Sequence, residues 1–171
     1  MYRASDANDL RGEVDCILVT EPEGASAEAI GLWNTMRPLD SSLFDHYFTK
    51  VSGPETPRLD LADTQFGKGT TMQGNPWVGI VTSETYEWHG VVRMVKPDGW
   101  ISEKTYKHGK YHGLSRDVRP GEVRIILNKD GHGVASLVYD GELNLLRKSG
   151  QDMLLADITA EFLRGNKMGR E

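Results

Sequence analysis

The sequence is short of the features that most readily announce a function. It has a single cysteine, Cys16, so no disulfide can form within the chain and a reducing compartment is the simpler expectation. No run approaches the roughly 18 apolar residues of a membrane-spanning helix. Residues 1–10 are polar and hold no apolar core for a signal peptide, and no Asn-x-Ser/Thr acceptor occurs. Together these absences predict a cytoplasmic protein. A Gly-x-Ser-x-Gly nucleophile elbow is missing, and so is a cysteine or carboxylate pattern of zinc type. There is also no basic stripe. Residues 77–148 carry 11 basic and 9 acidic side chains, whereas residues 1–76 carry 6 basic and 12 acidic. Nucleic acid needs a strongly basic footprint and an anionic membrane needs clustered basic residues, so the charge pattern excludes the first and argues against the second. Lys104, Lys107, Lys110, Arg116 and Arg119 form the one local basic group, which keeps membrane or phosphoinositide association as an alternative reading.

What the sequence does have is glycine, 19 in 171 residues, a count that suits many tight turns and a β-rich fold. The glycines mark a repeat. His89-Gly90-Val91-Val92-Arg93-Met94-Val95 returns as His112-Gly113-Leu114-Ser115-Arg116-Asp117-Val118, and again as His132-Gly133-Val134-Ala135-Ser136-Leu137-Val138. In each copy an aliphatic residue stands two after the histidine and a valine six after it. That shared parity places both on one face of a strand. A degenerate copy precedes these at Phe66-Gly67, with Met72 where the valine should be. Asp98-Gly99, Asp130-Gly131 and Asp140-Gly141 predict hairpin turns with each glycine at positive φ. One hairpin is marginal in water, so consecutive hairpins are expected to stack and share a core.

The run Lys96-Pro97-Asp98-Gly99, followed by Tyr106-Lys107-His108-Gly109-Lys110-Tyr111-His112-Gly113, resembles the MORN repeat, and especially the variant in bacterial antitoxin-like repeat proteins. Tyr106, Gly109, His112 and Gly113 match the family pattern of tyrosine, two residues, glycine, then His-Gly. His89-Gly90 and His132-Gly133 match only its His-Gly end. The resemblance spans residues 66–141. It implies an open stack of three to four antiparallel β-hairpins and a role in binding other proteins. The offset of Gly79, the Ser102 in place of an opening aromatic and the shortened third copy predict an irregular stack.

The flanks read differently. Residues 14–20 predict a short buried strand. Ser26 predicts the N-cap of a helix bearing Ala29, Ile30, Trp33 and Met36, which Pro38 ends. Asp40 or Ser41 opens a second helix with Leu43, Phe44, Tyr47, Phe48 and Val51 in its stripe. An amphipathic helix over 151–164 is expected to cap the last hairpin. The fold class is therefore mostly β, with an α-helical N-terminal region and a C-terminal capping helix, α+β overall. The divisions are 1–52 for a strand and two helices, 53–76 for a linker and degenerate hairpin, 77–148 for the hairpin repeats and 149–171 for the final helix and tail.

Chemistry finds little purchase. His89, His108, His112 and His132 are candidate metal ligands, but three of them recur one hairpin apart, as structural residues do. Cys16 with His46 as nucleophile and base is outweighed by a core role for a cysteine in an apolar run. Gly67-Lys68-Gly69-Thr70-Thr71 lacks the Gly-Lys-Ser/Thr order of a phosphate loop. We expect no catalytic residues, no metal and no cofactor. The candidate binding residues are Trp77, Tyr86, Trp88, Trp100, Tyr106 and Tyr111, six aromatics in 35 residues that pack the hairpins or, on the outer face, anchor a protein or peptide partner. The expected function is a non-catalytic adaptor or structural subunit. The remaining alternative is an enzyme or metal-binding protein using the repeat histidines.

Overall fold

Alternating apolar and polar residues from Thr64 onward build one antiparallel sheet. The computed structural model describes residues 10–35, 47, 48, 51 and 61–150. Two short helices, α1 (Arg11–Val19) and α2 (Ala27–Asn34), come first. Eight strands follow: β1 (Thr64–Thr70), β2 (Pro76–Thr82), β3 (Trp88–Val95), β4 (Ile101–Lys107), β5 (Lys110–Arg119), β6 (Glu122–Lys129), β7 (His132–Asp140) and β8 (Leu145–Gly150). They lie side by side in chain order as an open sheet, each antiparallel to the next. The hairpin count is thus higher than the three to four that the repeat predicts. The weak signal at Phe66-Gly67 is a full strand, β1, paired with β2 from Thr64↔Thr82 to Thr70↔Pro76. Met72 belongs to the connecting turn and is fully exposed, not in an apolar row.

The turns follow the backbone chemistry of their residues. Asp130 and Gly131 both have positive φ, +51° and +91°, as a two-residue turn between twisted strands requires. His108 and Gly109 do the same at +48° and +82°. At Asp98-Gly99 only the glycine is left-handed, at +87°. The Gly99 N–H donates to the Lys96 carbonyl, so Pro97 occupies the position where its fixed φ is favoured. The expectation for Gly141 fails. Leu143 takes the positive φ there, +64°, because the Asp140 carboxylate accepts from the N–H groups of both Glu142 and Asn144 and winds a longer loop.

Residues opposed in the ladder share a face. One face carries Val91, Ile101, Leu114, Val118, Val123 and Ile125, continued by Leu127, Ala135 and Leu137, all buried. Val14 and Leu18 of α1, Ala29, Leu32 and Trp33 of α2, and Tyr47 and Val51 pack on it. Each such aliphatic side chain contributes about 1.5–3 kcal/mol on burial. The Ser26 hydroxyl accepts from the Ala29 N–H at 3.1 Å and caps α2 as its sequence indicates.

Two readings are corrected. Residues 14–20 are not a buried strand but most of α1. The contiguous run Ile17-Leu18-Val19 imitates a strand, yet the pair facing the core, Val14 and Leu18, is spaced by four, one helical turn. Cys16 is accordingly exposed, on a side of that helix turned away from Val14 and Leu18, and not a core residue. The third repeat copy also departs. The first two copies turn their +2 and +6 aliphatics, Val91 and Val95, then Leu114 and Val118, toward the helices. A register shift between Leu127 and Asn128 pairs Asn128 with Gly133 and Leu127 with Ala135. Val138 is thereby carried to the opposite face, and Ala135 and Leu137 take the core positions. The end of the first helix at Met36 and Pro38, the start of the second helix at Asp40 or Ser41, the linker over 53–60 and the capping helix over 151–164 lie outside the described residues.

Candidate functional site

Five of the six aromatics singled out in the sequence form one continuous stripe on the sheet face opposite the helices. Trp77 meets Tyr86 at 6.1 Å and Trp88 at 5.4 Å between ring centroids. Trp88 meets Tyr106 at 4.9 Å, and Tyr106 meets Tyr111 at 5.3 Å. The contacts are tilted or edge-on, the arrangements that aromatic quadrupoles favour. The Lys104 ammonium sits 4.4 Å from the Tyr111 ring centre and closes the row. Tyr106 is buried, and that burial, with Tyr111 beside it, raises its phenol above the ordinary range. Tyr86 and Tyr111 are exposed, and Trp77 and Trp88 half-buried. The stripe therefore presents rings to solvent while being anchored from within.

The glycines beside it have a steric reason. A Cβ on Gly67 would lie 2.7 Å from the Tyr86 hydroxyl, and one on Gly69 would lie 3.1 Å from the Trp77 indole nitrogen. Gly67-Lys68-Gly69 is thus an edge strand on which two rings rest, which accounts for its imperfect likeness to a phosphate loop. Trp100 stands apart. It lies six residues from Tyr106, roughly 20 Å along a strand, and its ring is covered by the Arg119 guanidinium at 3.3 Å from the centroid.

Two of the three repeat histidines are turn clamps. His89 Nδ1 accepts from the His108 N–H at 3.0 Å, and His112 Nδ1 accepts from the Asp130 N–H at 3.0 Å. In both places the next N–H of the turn is also held: Gly109 donates to the Trp88 carbonyl and Gly131 to the Tyr111 carbonyl, each at 2.8 Å. The following glycine, Gly90 or Gly113, has positive φ, +124° and +102°. An accepting Nδ1 is unprotonated, so the 3.5 Å approach of Asp130 Oδ1 to His112 is not an ion pair. Burial, then Lys107, lowers the His112 pKa in the same direction. His132, in the slipped third copy, is exposed. Among the described residues no three histidine, cysteine or carboxylate side chains converge, and His46 lies outside them.

Two features escaped the sequence reading. The first is a buried charge triad. Arg93 and Arg116 occupy the same place, four after the histidine, in the first two copies, and both reach Glu103 on the strand between them. Arg93 Nη2 lies 2.7 Å from Oε2 and Arg116 Nε 2.7 Å from Oε1. Trp33 Nε1 donates to Oε2 at 3.2 Å, and its ring lies 5.4 and 5.7 Å from the two guanidinium carbons. Burial alone would raise the Glu103 carboxyl, but the two guanidiniums overturn that and hold it below the usual range. Burial lowers Arg93 from its ordinary value against the pull of Glu103. The signal was present as arginine in register with the core aliphatics.

The second is a groove of about 920 Å³ on the helix side of β1–β3. Its floor is Phe66, Lys68, Val78, Arg93 and Val95, and its wall is Glu13, Cys16, Ile17 and Thr20 of α1. The wall residues are spaced as one helical face. Two bonds pin the wall: Arg93 Nη1 donates to the Thr20 carbonyl, and the Ser26 N–H donates to the Gly99 carbonyl at 3.2 Å.

No family model matches the chain, and no curated protein matches it. Among the described residues no helix is long and apolar enough to cross a membrane.

Proposed function

We propose that this chain is a non-catalytic, MORN-like interaction module that binds another protein through the aromatic stripe of Trp77, Tyr86, Trp88, Tyr106 and Tyr111. The single observation that carries the reading is the unbroken ring-to-ring contact across four neighbouring strands, ending in exposed tyrosines. Aromatic side chains supply most of the binding energy where they enter a desolvated interface, and rigid rings lose little entropy on doing so. The turn-clamping role of His89 and His112 supports the same reading, because it accounts for the repeated histidines without chemistry. The double variant Tyr86→Ser/Tyr111→Ser tests it. Both rings are exposed, so the variant is expected to melt near the parent temperature while losing the proteins that the parent captures from its source cells. Unchanged capture by a folded double variant overturns the proposal.

A further inference from the structure

The groove between α1 and the first three strands has no part in the aromatic-stripe reading, and its construction is that of a preformed site. Pockets that hold ligands are concave, mainly apolar and roughly 300–1,000 Å³ in volume, and this one measures about 920 Å³. Ile17, Pro22, Phe66, Val78 and Val95 supply its apolar surface. Its wall is tied to the sheet at Thr20 and Ser26, and its floor is a hydrogen-bonded sheet. The charge at its rim is one-sided. Among the described residues, Glu13, Glu21 and Glu23 line it against one cation without a carboxylate partner, Lys68, because the Arg93 guanidinium in the floor is already held by Glu103.

We infer that this groove is a second binding site, which receives a peptide segment of a partner protein that carries an aliphatic or aromatic anchor flanked by lysine or arginine. The anchor lies over Val78 and Val95 between α1 and β1. The flanking cations face Glu13 on one side and Glu21 and Glu23 on the other. The groove is open to solvent rather than enclosed, which suits a chain segment. Trp77 borders both sites, but the residues that give the groove its charge lie on α1 and the loop after it, away from the stripe.

The test is a titration of the isotopically labelled whole protein, followed by its amide resonances, with two capped tetrapeptides: lysine-leucine-phenylalanine-lysine and its counterpart with glutamate in place of lysine. Shifts are expected at Cys16, Ile17, Lys68, Val78 and Val95, with the basic peptide favoured by about tenfold, the size expected for two partly exposed charge pairs. Glu21→Lys/Glu23→Lys, a surface change that leaves the core untouched, is expected to cancel or reverse that preference. Val78→Trp, which fills the groove, is expected to abolish binding. Tyr111→Ser, which touches no groove residue, is expected to leave peptide binding intact, which separates this site from the stripe. Equal affinity for the two peptides, shifts confined to other residues, or no shift at millimolar basic peptide overturns the inference. So do shifts that grow with protein concentration alone, the mark of a second copy in the groove.

Discussion

The Nδ1 atom of His112 accepts a hydrogen bond from the backbone N–H of Asp130 at 3.0 Å, and so fastens the start of β5 to the turn that ends β6. The ring also packs edge-on to Phe48 at 4.8 Å. Replacing His112 by phenylalanine keeps a ring in that space and removes the acceptor, leaving the turn N–H without its partner. The expected cost is about 1–3 kcal/mol, read from urea unfolding. An unchanged midpoint and slope would show that the clamp contributes nothing.

The same bond gives a pH dependence with a fixed sign. The His112 pKa is lowered by burial from its ordinary value of 6.5. The folded protein therefore binds this proton less readily than the unfolded chain, and stability falls as pH falls. The contribution is fully present above pH 6.5 and is lost as pH drops through the lower folded value. His112→Phe should unfold with a shallower pH dependence over that range. Parallel curves for parent and variant would contradict the assignment.

Glu103 holds two buried guanidiniums at once. Glu103→Gln would remove the carboxylate that both guanidiniums share, at an expected cost of about 3–5 kcal/mol. Replacing Arg93 and Arg116 by methionine together with Glu103 by leucine removes the charges as a set. This triple variant should be more stable than Glu103→Gln alone, as chemical denaturation would show. The reverse order would mean that the triad stabilises through its net attraction.

Gly131 has φ of +91° and open space around it, so the cost of a side chain there is backbone strain alone. Gly131→Val is expected to lose about 1–3 kcal/mol in thermal melts. A fully stable variant would count against the two-residue turn.

Much of the sheet was legible because its signals are local. The Asp130-Gly131 turn and the Ser26 cap each depend on residues within a few positions of one another, whereas the shared face of the five aromatics rests on pairing across four strands. The third histidine copy misled, because a single extra residue in β7 reverses every face after it, and that slip is set by pairing with β6 rather than by the copy's own residues. Helix α1 misled for the opposite reason: a local apolar run outweighed the four-residue spacing of Val14 and Leu18. The Arg93–Glu103–Arg116 set needed the register of three strands, and the groove needed the placement of α1 over β1–β3. Neither is encoded in any one segment.

If the aromatic stripe is the surface that meets a partner, contact with that partner is made at Tyr111. The most direct measurement places a photoreactive phenylalanine at Tyr111, in the stripe, and separately at Leu145, an exposed residue of the distant strand β8. Each is irradiated with the proteins captured from source cells. A cross-linked partner is expected from position 111 and none from position 145. Cross-linking from position 145 alone, or from neither position while capture persists, would contradict that contact.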